Sequence, residues 1–341
     1  MRIASFNLEN LDDTPSASPS ASAPTFDERL AILRPQMERL RADVLCLQEV
    51  HGQDVDGEPR QLRALKRLVQ GTRYETYQFR STTLSGRPDV ERYRNLVTMI
   101  PQGWTFEEAR EVLHEFSPPP EYNAVTETPD AGPRAIKWDR PLLYCRVRTP
   151  EGLVLHLLNA HYKSKNPTPI AGQGPESYMF RTAAGWAEGF FLSSIKRVGA
   201  ALETRIFLDR LFADDPDARI VLAGDLNSES HEVSVMTVRG DVNSHGNPAL
   251  NHQIMYPCED TVPEDSRFTL YHHGRKNMLD HLLVSRMLMG AYRHTEIHNE
   301  FLNDESVAFA VDKKFPSSDH APVIAEFDDA LLSRLGKSST A

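Results

Sequence analysis

The sequence predicts a layered α/β (α+β) protein, and three observations support this. The 341 residues are enough to bury a sizeable core. Apolar residues make up 40% of the chain and charged residues 25%, as in ordinary globular proteins. Short apolar runs typical of buried strands are interspersed with longer stretches of helical spacing. We therefore expect one domain over residues 1–330 and a C-terminal tail over residues 331–341.

The predicted elements follow one another along the chain. A first strand covers residues 2–10, and the Ser/Ala/Pro-rich residues 14–24 form a flexible insertion that we expect near the mouth of a cleft. Thr25 and Glu28 form a capping-box pattern that starts a helix, which Pro35 is expected to kink or break. Two further helices are predicted over residues 60–70 and 177–213. The other buried strands are predicted over residues 44–47, 96–100, 142–147, 154–160, 220–223, 279–284 and 323–327.

Composition excludes several classes of protein. No apolar run approaches the roughly 18 residues that span a bilayer, so membrane insertion is not expected. The first residues lack the apolar segment of a secretory signal. The 3 cysteines form no Cys-x-x-Cys pair, and Cys46 and Cys145 lie within apolar runs where buried reduced thiols are usual. These features together favour a cytoplasmic protein.

The charge distribution is uneven. The net charge of −10 argues mildly against tight, non-specific binding of nucleic acid. Residues 134–181, however, contain eight basic and three acidic residues. This segment is either a solvated basic face or part of a groove for a phosphate-bearing substrate. In the second interpretation, the residues that contact substrate are Arg134, Arg140, Lys163 and Lys165.

Polar residues stand where the predicted apolar strands end. Asn7 and Glu9 are two apart in the first strand, so an extended chain places them on one face. Glu49 ends a buried strand, where a carboxylate is costly unless it binds a cation or hydrogen-bond donors. His161 follows another strand, close to lysines that can also donate to phosphate.

The same pattern continues in the C-terminal half. Gly224 is expected to let the chain turn as it leaves the sheet, which places Asp225 and Asn227 side by side at its edge, where they can align a water. Asp280 begins a later strand. Asp319 and His320 can share a site only if they lie in a loop or have distinct roles, and Pro322 supports a loop. Oxygen ligands without cysteine or histidine pairs suit Mg²⁺ or Mn²⁺. The chemistry that fits is metal-assisted hydrolysis of a phosphate ester.

Six motifs together resemble the endonuclease/exonuclease/phosphatase superfamily, which is deoxyribonuclease-I-like. They occur in the family's order and span nearly the whole chain: FNLEN at 6–10, LQEV at 47–50, NAHYKSK at 159–165, GDLNS at 224–228, LDHLLVS at 279–285 and SDHAPV at 318–323. The resemblance implies a four-layer α/β/β/α sandwich of two packed mixed sheets, with the active site at one end of the sheets.

The resemblance also implies a role for each matching residue. Asn7 and Glu49 would hold the cation, and Glu9 would assist them. Asp319 would bind metal or support the site, and His161 would donate to the phosphate. Asp225, supported by Asn227, would orient or deprotonate the attacking water. His320, aligned by Asp280, would be the alternative base or a phosphate contact, and neither the base nor the number of metals is settled by the sequence.

This sequence differs from the patterns of several subfamilies, and these differences narrow the range of expected substrates. His161 replaces the tyrosine usual in abasic-site endonucleases, and neither GDLNSES nor NMLDHLL matches the segments usual in inositol-phosphate phosphatases. The sphingomyelinases that share this histidine are usually secreted. The prediction is a bacterial-type nuclease acting on phosphodiesters of nucleic acid. The alternatives are a lipid or small-molecule phosphodiesterase, a phosphomonoesterase and, last, a non-catalytic binding module. Trp186 and Phe190 are interpreted as core residues rather than as a base-stacking platform.

Overall fold

The computed structural model of the protein describes residues 1–14, 23–83, 89–129, 132–174, 179–310 and 314–338. Residues 15–22, which make up most of the predicted insertion, lie outside the described residues. The prediction that the insertion lies at the cleft mouth therefore stays a prediction. Within the described chain, no helix is long and apolar enough to cross a membrane.

Two large mixed sheets form the centre of the protein. The first contains β1 (Arg2–Leu11), β2 (Val44–Val50), β5 (Gln78–Ser81), β6 (Asn95–Ile100), β17 (Tyr292–Ile297) and β18 (Val323–Phe327). Their spatial order is β17-β18-β1-β2-β6-β5. The second contains β7 (Thr105–Val112), β10 (Leu142–Arg148), β11 (Val154–His161), β12 (Ile220–Asp225), β13 (Met255–Pro257) and β16 (Asp280–Ser285). Their order is β13-β16-β12-β11-β10-β7.

Short hairpins and helices complete the described chain. Three two-stranded sheets pair β3 (Gln53–Val55) with β4 (Glu58–Gln61), β8 (Glu121–Tyr122) with β9 (Arg134–Ala135), and β14 (Leu270–His272) with β15 (Arg275–Asn277). The helices are α1 (Phe26–Leu40), α2 (Arg63–Val69), α3 (Ala183–Asp214), α4 (Val233–Arg239), α5 (Val242–His245), α6 (Arg286–Met289), α7 (Glu305–Ala310) and α8 (Asp329–Ser338). Residues 331–338, which the sequence assigned to a tail, lie in α8, where Leu332 is buried.

Three apolar clusters define four layers. Side chains from both sheets, such as Ile3 and Leu157, form the central cluster. The outer face of the first sheet packs against α1 and α2, and the outer face of the second packs against α3 and α4. The three cysteines are all free and buried, as Cys46 and Cys145 were expected to be. The predicted α/β/β/α sandwich is confirmed.

The sequence missed the four edge strands of the two large sheets, β17, β5, β13 and β7. The predicted strands were continuous apolar runs, which occur where a strand is buried on both faces. An edge strand such as β7 instead mixes exposed and half-buried residues, most of them polar. The central strands could therefore be predicted from the sequence, whereas the edge strands could not.

Three helix predictions need correction. Residues 60–61 belong to β4, and α2 begins at Arg63. The long helix begins at Ala183 rather than at 177. Helix α1 starts with the predicted capping box but runs unbroken through Pro35. Burial of Leu33, Met37 and Leu40, at about 1.5–3 kcal/mol for each side chain, exceeds the roughly 3 kcal/mol that an interior proline costs.

The sheet topology explains why the motifs meet. Each large sheet has one parallel pair, β1 with β2 and β11 with β12, so the carboxyl ends of both strands of a pair lie at the same edge. Strands β16 and β18 run antiparallel to these pairs, so their amino ends reach that edge too. The residues that follow or precede these strands therefore share one end of the sandwich.

Candidate active site

Three of the predicted residues lie on adjacent strands. His161 pairs with Asp225 across β11 and β12, and Asp225 pairs with Asp280 across β12 and β16. All three side chains are buried. The register therefore places a histidine and two carboxylates in a row at the edge of the second sheet.

Gly224 is required for a reason other than the predicted turn. Strand β12 continues through Asp225, so the chain has not left the sheet at this position. The φ angle of Gly224 is 149°, and a Cβ atom there would lie 1.9 Å from the carbonyl oxygen of Ala160. The glycine permits close approach of β11, which carries His161, to the strand that carries Asp225.

A buried dyad joins His320 to Asp280. The Nδ1 atom of His320 lies 2.6 Å from Oδ2 of Asp280, and Nε2 lies 3.9 Å from Oδ2 of Asp225. Burial by itself lowers the pKa of His320, but the charges of Asp280, Asp319 and Asp225 outweigh it and raise that pKa well above its ordinary value. His320 is therefore held as an imidazolium. It lies outside the regular strands, in the predicted loop before β18.

Thr269 holds both members of the dyad in place. Its hydroxyl oxygen accepts hydrogen bonds from the backbone N–H groups of Leu279 and Asp280, each at 3.1 Å. Its carbonyl accepts from the N–H of Ala321 at 2.8 Å. The fully buried Thr269 thus links the start of β16, which carries Asp280, to the residue that follows His320.

Asp225 is the centre of the hydrogen-bond network. Its Oδ2 accepts from Nδ2 of Asn7 at 3.1 Å, and its Oδ1 accepts from the backbone N–H of Asn227 at 2.9 Å. Burial raises the pKa of Asp225 to about 7, although the charge of His320 opposes the rise. Asn227 has a left-handed φ of 50°, and its amide donates to the carbonyl of Tyr162.

His161 differs from His320 in its charge state. Its Nε2 lies 3.4 Å from Oδ2 of Asp225 and 3.6 Å from Oε1 of Glu49. Burial, together with the positive charges of Arg140 and Arg94, lowers the pKa of His161 well below its ordinary value. The ring is therefore neutral and can act as a donor from Nε2 between two carboxylates.

The acidic residues of the first sheet gather around a bulge. Glu9 and Asn10 have positive φ angles of 45° and 50°, and the register of β1 against β2 shifts there. The chain is therefore not extended at Glu9, so the extended strand from which the sequence placed Asn7 and Glu9 on one face does not reach that residue. Instead, Oδ1 of Asn7 accepts from the N–H of Glu9, and Oε2 of Glu9 accepts from the N–H of Asp319.

These carboxylates are crowded and incompletely paired. Burial and the charge of Asp319 raise the pKa of Glu9 to about 8. Burial also raises the pKa of Asp319 to about 6. Oδ1 of Asp319 is buried and has no hydrogen-bond partner among the described residues. Oε2 of Glu49 accepts from the N–H of Asn10 at 3.0 Å.

This donor set fits a hard divalent cation. Oxygen ligands from Asn7, Glu49, Asp319 and Glu9 are the type that Mg²⁺ and Mn²⁺ prefer. A cation there would compensate the burial and repulsion that raise the carboxyl pKa values, and it would bind Oδ1 of Asp319, which has no hydrogen-bond partner among the described residues. Among the described residues, the one group of three acidic or histidine residues whose ligand atoms lie within 4.8 Å of one another is Asp225, Asp280 and His320, but Nδ1 of His320 and Oδ2 of Asp280 already bond to each other.

Comparisons with known proteins agree with the fold. Residues 185–314 match the model of the Endonuclease/Exonuclease/phosphatase family. No curated protein matches the sequence. Among solved structures, a humanised TDP2 of D. rerio is 17% identical, with a TM-score of 0.55 over 96% of this chain and 98% of that chain.

Two other similar structures are bacterial. The 3′ phosphatase NExo from Neisseria, bound to a product DNA hairpin, is 15% identical, with a TM-score of 0.52 over 96% of this chain and 99% of that chain. A mannosyl-6-phosphatase of Bacteroides thetaiotaomicron is 14% identical, with a TM-score of 0.53 over 96% and 98%. The resemblance to the endonuclease/exonuclease/phosphatase superfamily is confirmed. Members of this superfamily hydrolyse phosphoester bonds.

The four basic residues proposed to contact substrate differ in position. Arg140 lies beside His161, with Nη1 3.5 and 3.3 Å from the carbonyl oxygens of His161 and Tyr162. Lys163 turns back onto its own loop, and burial lowers its pKa to about 8. Lys165 pairs with Glu232, and Arg134 pairs with Glu127. No described contact joins Arg134 to the superfamily's motif residues.

Sequence reasoning did not predict two further features. Arg94 approaches Glu49, with Nε 3.6 Å from Oε1 and 3.1 Å from Oδ1 of Asn10. Its signal in the sequence was weak: an arginine one residue before an apolar strand lies outside the superfamily motifs. Trp186 and Phe190, interpreted as core, are 51% and 40% exposed and stack on each other. Helical spacing alone does not show which face of a long helix is covered.

Proposed function

We propose that this protein is a divalent-cation-dependent phosphodiesterase that cleaves nucleic acid by in-line attack of water. The observation that carries the proposal is the joining of the His320–Asp280 dyad to Asp225, 3.9 Å from the dyad, beside an acidic group suited to a cation. Every polar position of the superfamily motifs is occupied, which is expected of an enzyme and not of a binding module.

The environments of Asp225, His320 and His161 favour a different role for each in the hydrolysis. The carboxylate of Asp225 accepts the proton of the attacking water, because burial places its pKa near 7. The imidazolium of His320 contacts the phosphate oxygens, and neutral His161 donates a further hydrogen bond. The water oxygen forms the new bond to phosphorus, the ester P–O bond breaks, and the leaving oxygen takes a proton from solvent.

Bound Mg²⁺ or Mn²⁺ would neutralise negative charge on the reacting phosphate. Asn7, Glu49, Asp319 and Glu9 would hold it. The positions of these residues around the bulge of β1 bring their oxygen atoms to the edge where Asp225 lies. Asn7 connects the proposed cation ligands to Asp225, since its amide donates a hydrogen bond to that carboxylate.

A nucleic-acid substrate is favoured by the excess of basic residues over 134–181, of which Arg140 lies beside His161, and by the DNA-bound neighbour from Neisseria. The second candidate is phosphomonoester hydrolysis, which the similarity to a mannosyl-6-phosphatase favours. A lipid or small-molecule phosphodiesterase is the remaining alternative. The three buried free cysteines favour a cytoplasmic location.

Nicking of supercoiled plasmid tests the proposal, with hydrolysis of bis-p-nitrophenyl phosphate and p-nitrophenyl phosphate measured in parallel. Mg²⁺- or Mn²⁺-dependent nicking that EDTA and Asp225→Asn abolish is the expected result. Asp209→Asn is the matched control, since Asp209 is exposed on α3 and pairs with Arg205. Hydrolysis of the monoester alone would replace the nuclease by a phosphatase. Hydrolysis of the small diester without nicking would indicate a non-nucleic phosphodiesterase.

A further inference from the structure

Arg94 lies at the edge of the site, and the two terminal nitrogens of its guanidinium form no hydrogen bond among the described residues. Its Nε donates to Oδ1 of Asn10 at 3.1 Å and lies 3.6 Å from Oε1 of Glu49. No hydrogen bond to either terminal nitrogen occurs among the described residues, and 45% of the side chain is exposed. The left-handed φ of 58° at Arg94 directs the backbone sharply just before β6.

The neighbouring cations are engaged elsewhere. The terminal nitrogens of Arg29 donate to the carbonyls of Leu8, Glu9 and Asn10. Lys165 is paired with Glu232, and Lys163 donates within its own loop. Among the described residues that approach Glu49, Arg94 therefore has the guanidinium most available to an incoming phosphate. A guanidinium suits this task because its planar donors match two phosphate oxygens.

Tyr93, which precedes Arg94 in the chain, carries an exposed aromatic ring. It is 63% exposed, and its described ring contact is an edge contact with His51 at 5.2 Å. His51 in turn lies 3.2 Å from Oδ1 of Asn10, the same oxygen that holds Arg94. The exposed ring and the free guanidinium are thus anchored through one asparagine. An exposed aromatic ring costs hydration and offers a stacking surface for a planar group.

We propose that Arg94 and Tyr93 form a subsite for the nucleotide unit attached to the scissile phosphate. The guanidinium binds a phosphate oxygen, and the ring stacks on the nucleobase. This inference rests on the proposed phosphodiesterase activity and names its substrate class. The Trp186–Phe190 pair is the competing aromatic surface. It lies on α3, and no described contact joins either ring to the motif residues.

Two esters with the same leaving group test the subsite. Thymidine 5′-(p-nitrophenyl) phosphate carries a base and a sugar, and methyl p-nitrophenyl phosphate carries neither. We expect the protein to prefer the thymidine ester by about tenfold in kcat/KM, the scale of one stacked base. Tyr93→Leu should remove this preference through KM and leave kcat and the methyl ester unchanged, whereas Tyr93→Phe should keep it.

The arginine is tested on both esters. Arg94→Gln should lower kcat/KM by about tenfold or more on each, because both contain the phosphate. Arg41→Gln is the matched control, since Arg41 is also exposed with a positive φ, of 47°, but ends α1. Melting temperatures show whether each variant is folded.

The outcomes separate the inference from the function on which it rests. Hydrolysis of both esters without a thymidine preference, or a preference that survives Tyr93→Leu, overturns the subsite and leaves the phosphodiesterase standing. Loss of the preference in Trp186→Leu overturns it in favour of α3. If neither ester is hydrolysed while p-nitrophenyl phosphate is, the proposed diesterase itself fails, and the subsite with it.

Discussion

The carboxylates of the two sheets meet at one edge but are stabilised differently. In what we call the hydrogen-bonded half, Asp225 and Asp280 are held by Asn7, Asn227, Thr269 and His320. In the acidic half, which contains Glu9, Glu49 and Asp319, Oδ1 of Asp319 has no hydrogen-bond partner among the described residues and lies 4.0 Å from Nε2 of His320. The first half has more protein partners, although Oδ1 of Asp280 also lacks a hydrogen-bond partner among the described residues. In the second half, repulsion between carboxylates adds to burial in raising the pKa values of Glu9 and Asp319, which is the arrangement expected where a cation supplies the missing charge.

The largest expected effect comes from breaking the hydrogen-bonded half at its centre. Asp225→Asn removes the proposed proton acceptor and preserves the shape of the side chain, so hydrolysis of bis-p-nitrophenyl phosphate should fall by about 10³-fold or more. The melting temperature should fall only slightly, because a neutral amide is easier to bury than a carboxylate of raised pKa, although its NH2 group faces a donor from Asn7 or Asn227. A variant that retains most of its activity would show that Asp225 is not the base.

Thr269→Val tests whether the dyad depends on its support. The valine leaves the N–H groups of Leu279 and Asp280 without their acceptor, so stability should fall by about 1–3 kcal/mol in urea unfolding. The kcat should fall by about tenfold, the scale of a lost supporting contact at an active site. Thr98→Val is the matched control, since that buried hydroxyl lies beside the Cys46 and Cys145 thiols and, among the described residues, accepts from no backbone N–H group. Equal kcat values for the two variants would contradict the supporting role.

Titration with Mg²⁺ or Mn²⁺ tests whether the acidic half binds a cation. Mg²⁺ or Mn²⁺ should raise the melting temperature of the protein, with stabilisation of about 2.7 kcal/mol at 100 times the dissociation constant. Asp319→Asn should abolish most of this shift, whereas Asp225→Asn should retain a large part of it. If Asp319→Asn is stabilised as strongly as the original chain, the cation lies elsewhere.

The smallest effect is a pH dependence of the acidic half in EDTA. Because the pKa of Glu9 is raised to about 8 and that of Asp319 to about 6, both groups bind more protons in the folded chain than in the unfolded one. Their contribution to stability is therefore complete below the ordinary carboxyl pKa and is lost as pH rises towards 8. The melting temperature in EDTA should fall between pH 5 and pH 8, and Glu9→Gln should reduce that fall. A steeper fall in Glu9→Gln would contradict this assignment.

Much of the fold could be predicted because its determinants are local. The central strands are apolar runs, and the capping box at Thr25 lies within four residues of sequence. The edge strands have no such signal, since one side of each is open. Continuity of α1 through Pro35 depends on the sheet face that buries Leu33 and Met37, which no local pattern describes.

For the site, the sequence alone determined which residues stand at strand ends and which chemistry their oxygen and imidazole groups allow. Tertiary structure decided the rest. Register across β11, β12 and β16 sets His161, Asp225 and Asp280 side by side. The bulge at Glu9 turns that carboxylate towards Asp319, and burial among charges makes one histidine neutral and the other cationic. Arg94 joins Glu49 only because β6 lies next to β2. Distances between groups far apart in sequence set these charges and contacts, and only the pairing of strands, the packing of the two sheets and the loop before β18 bring such groups together.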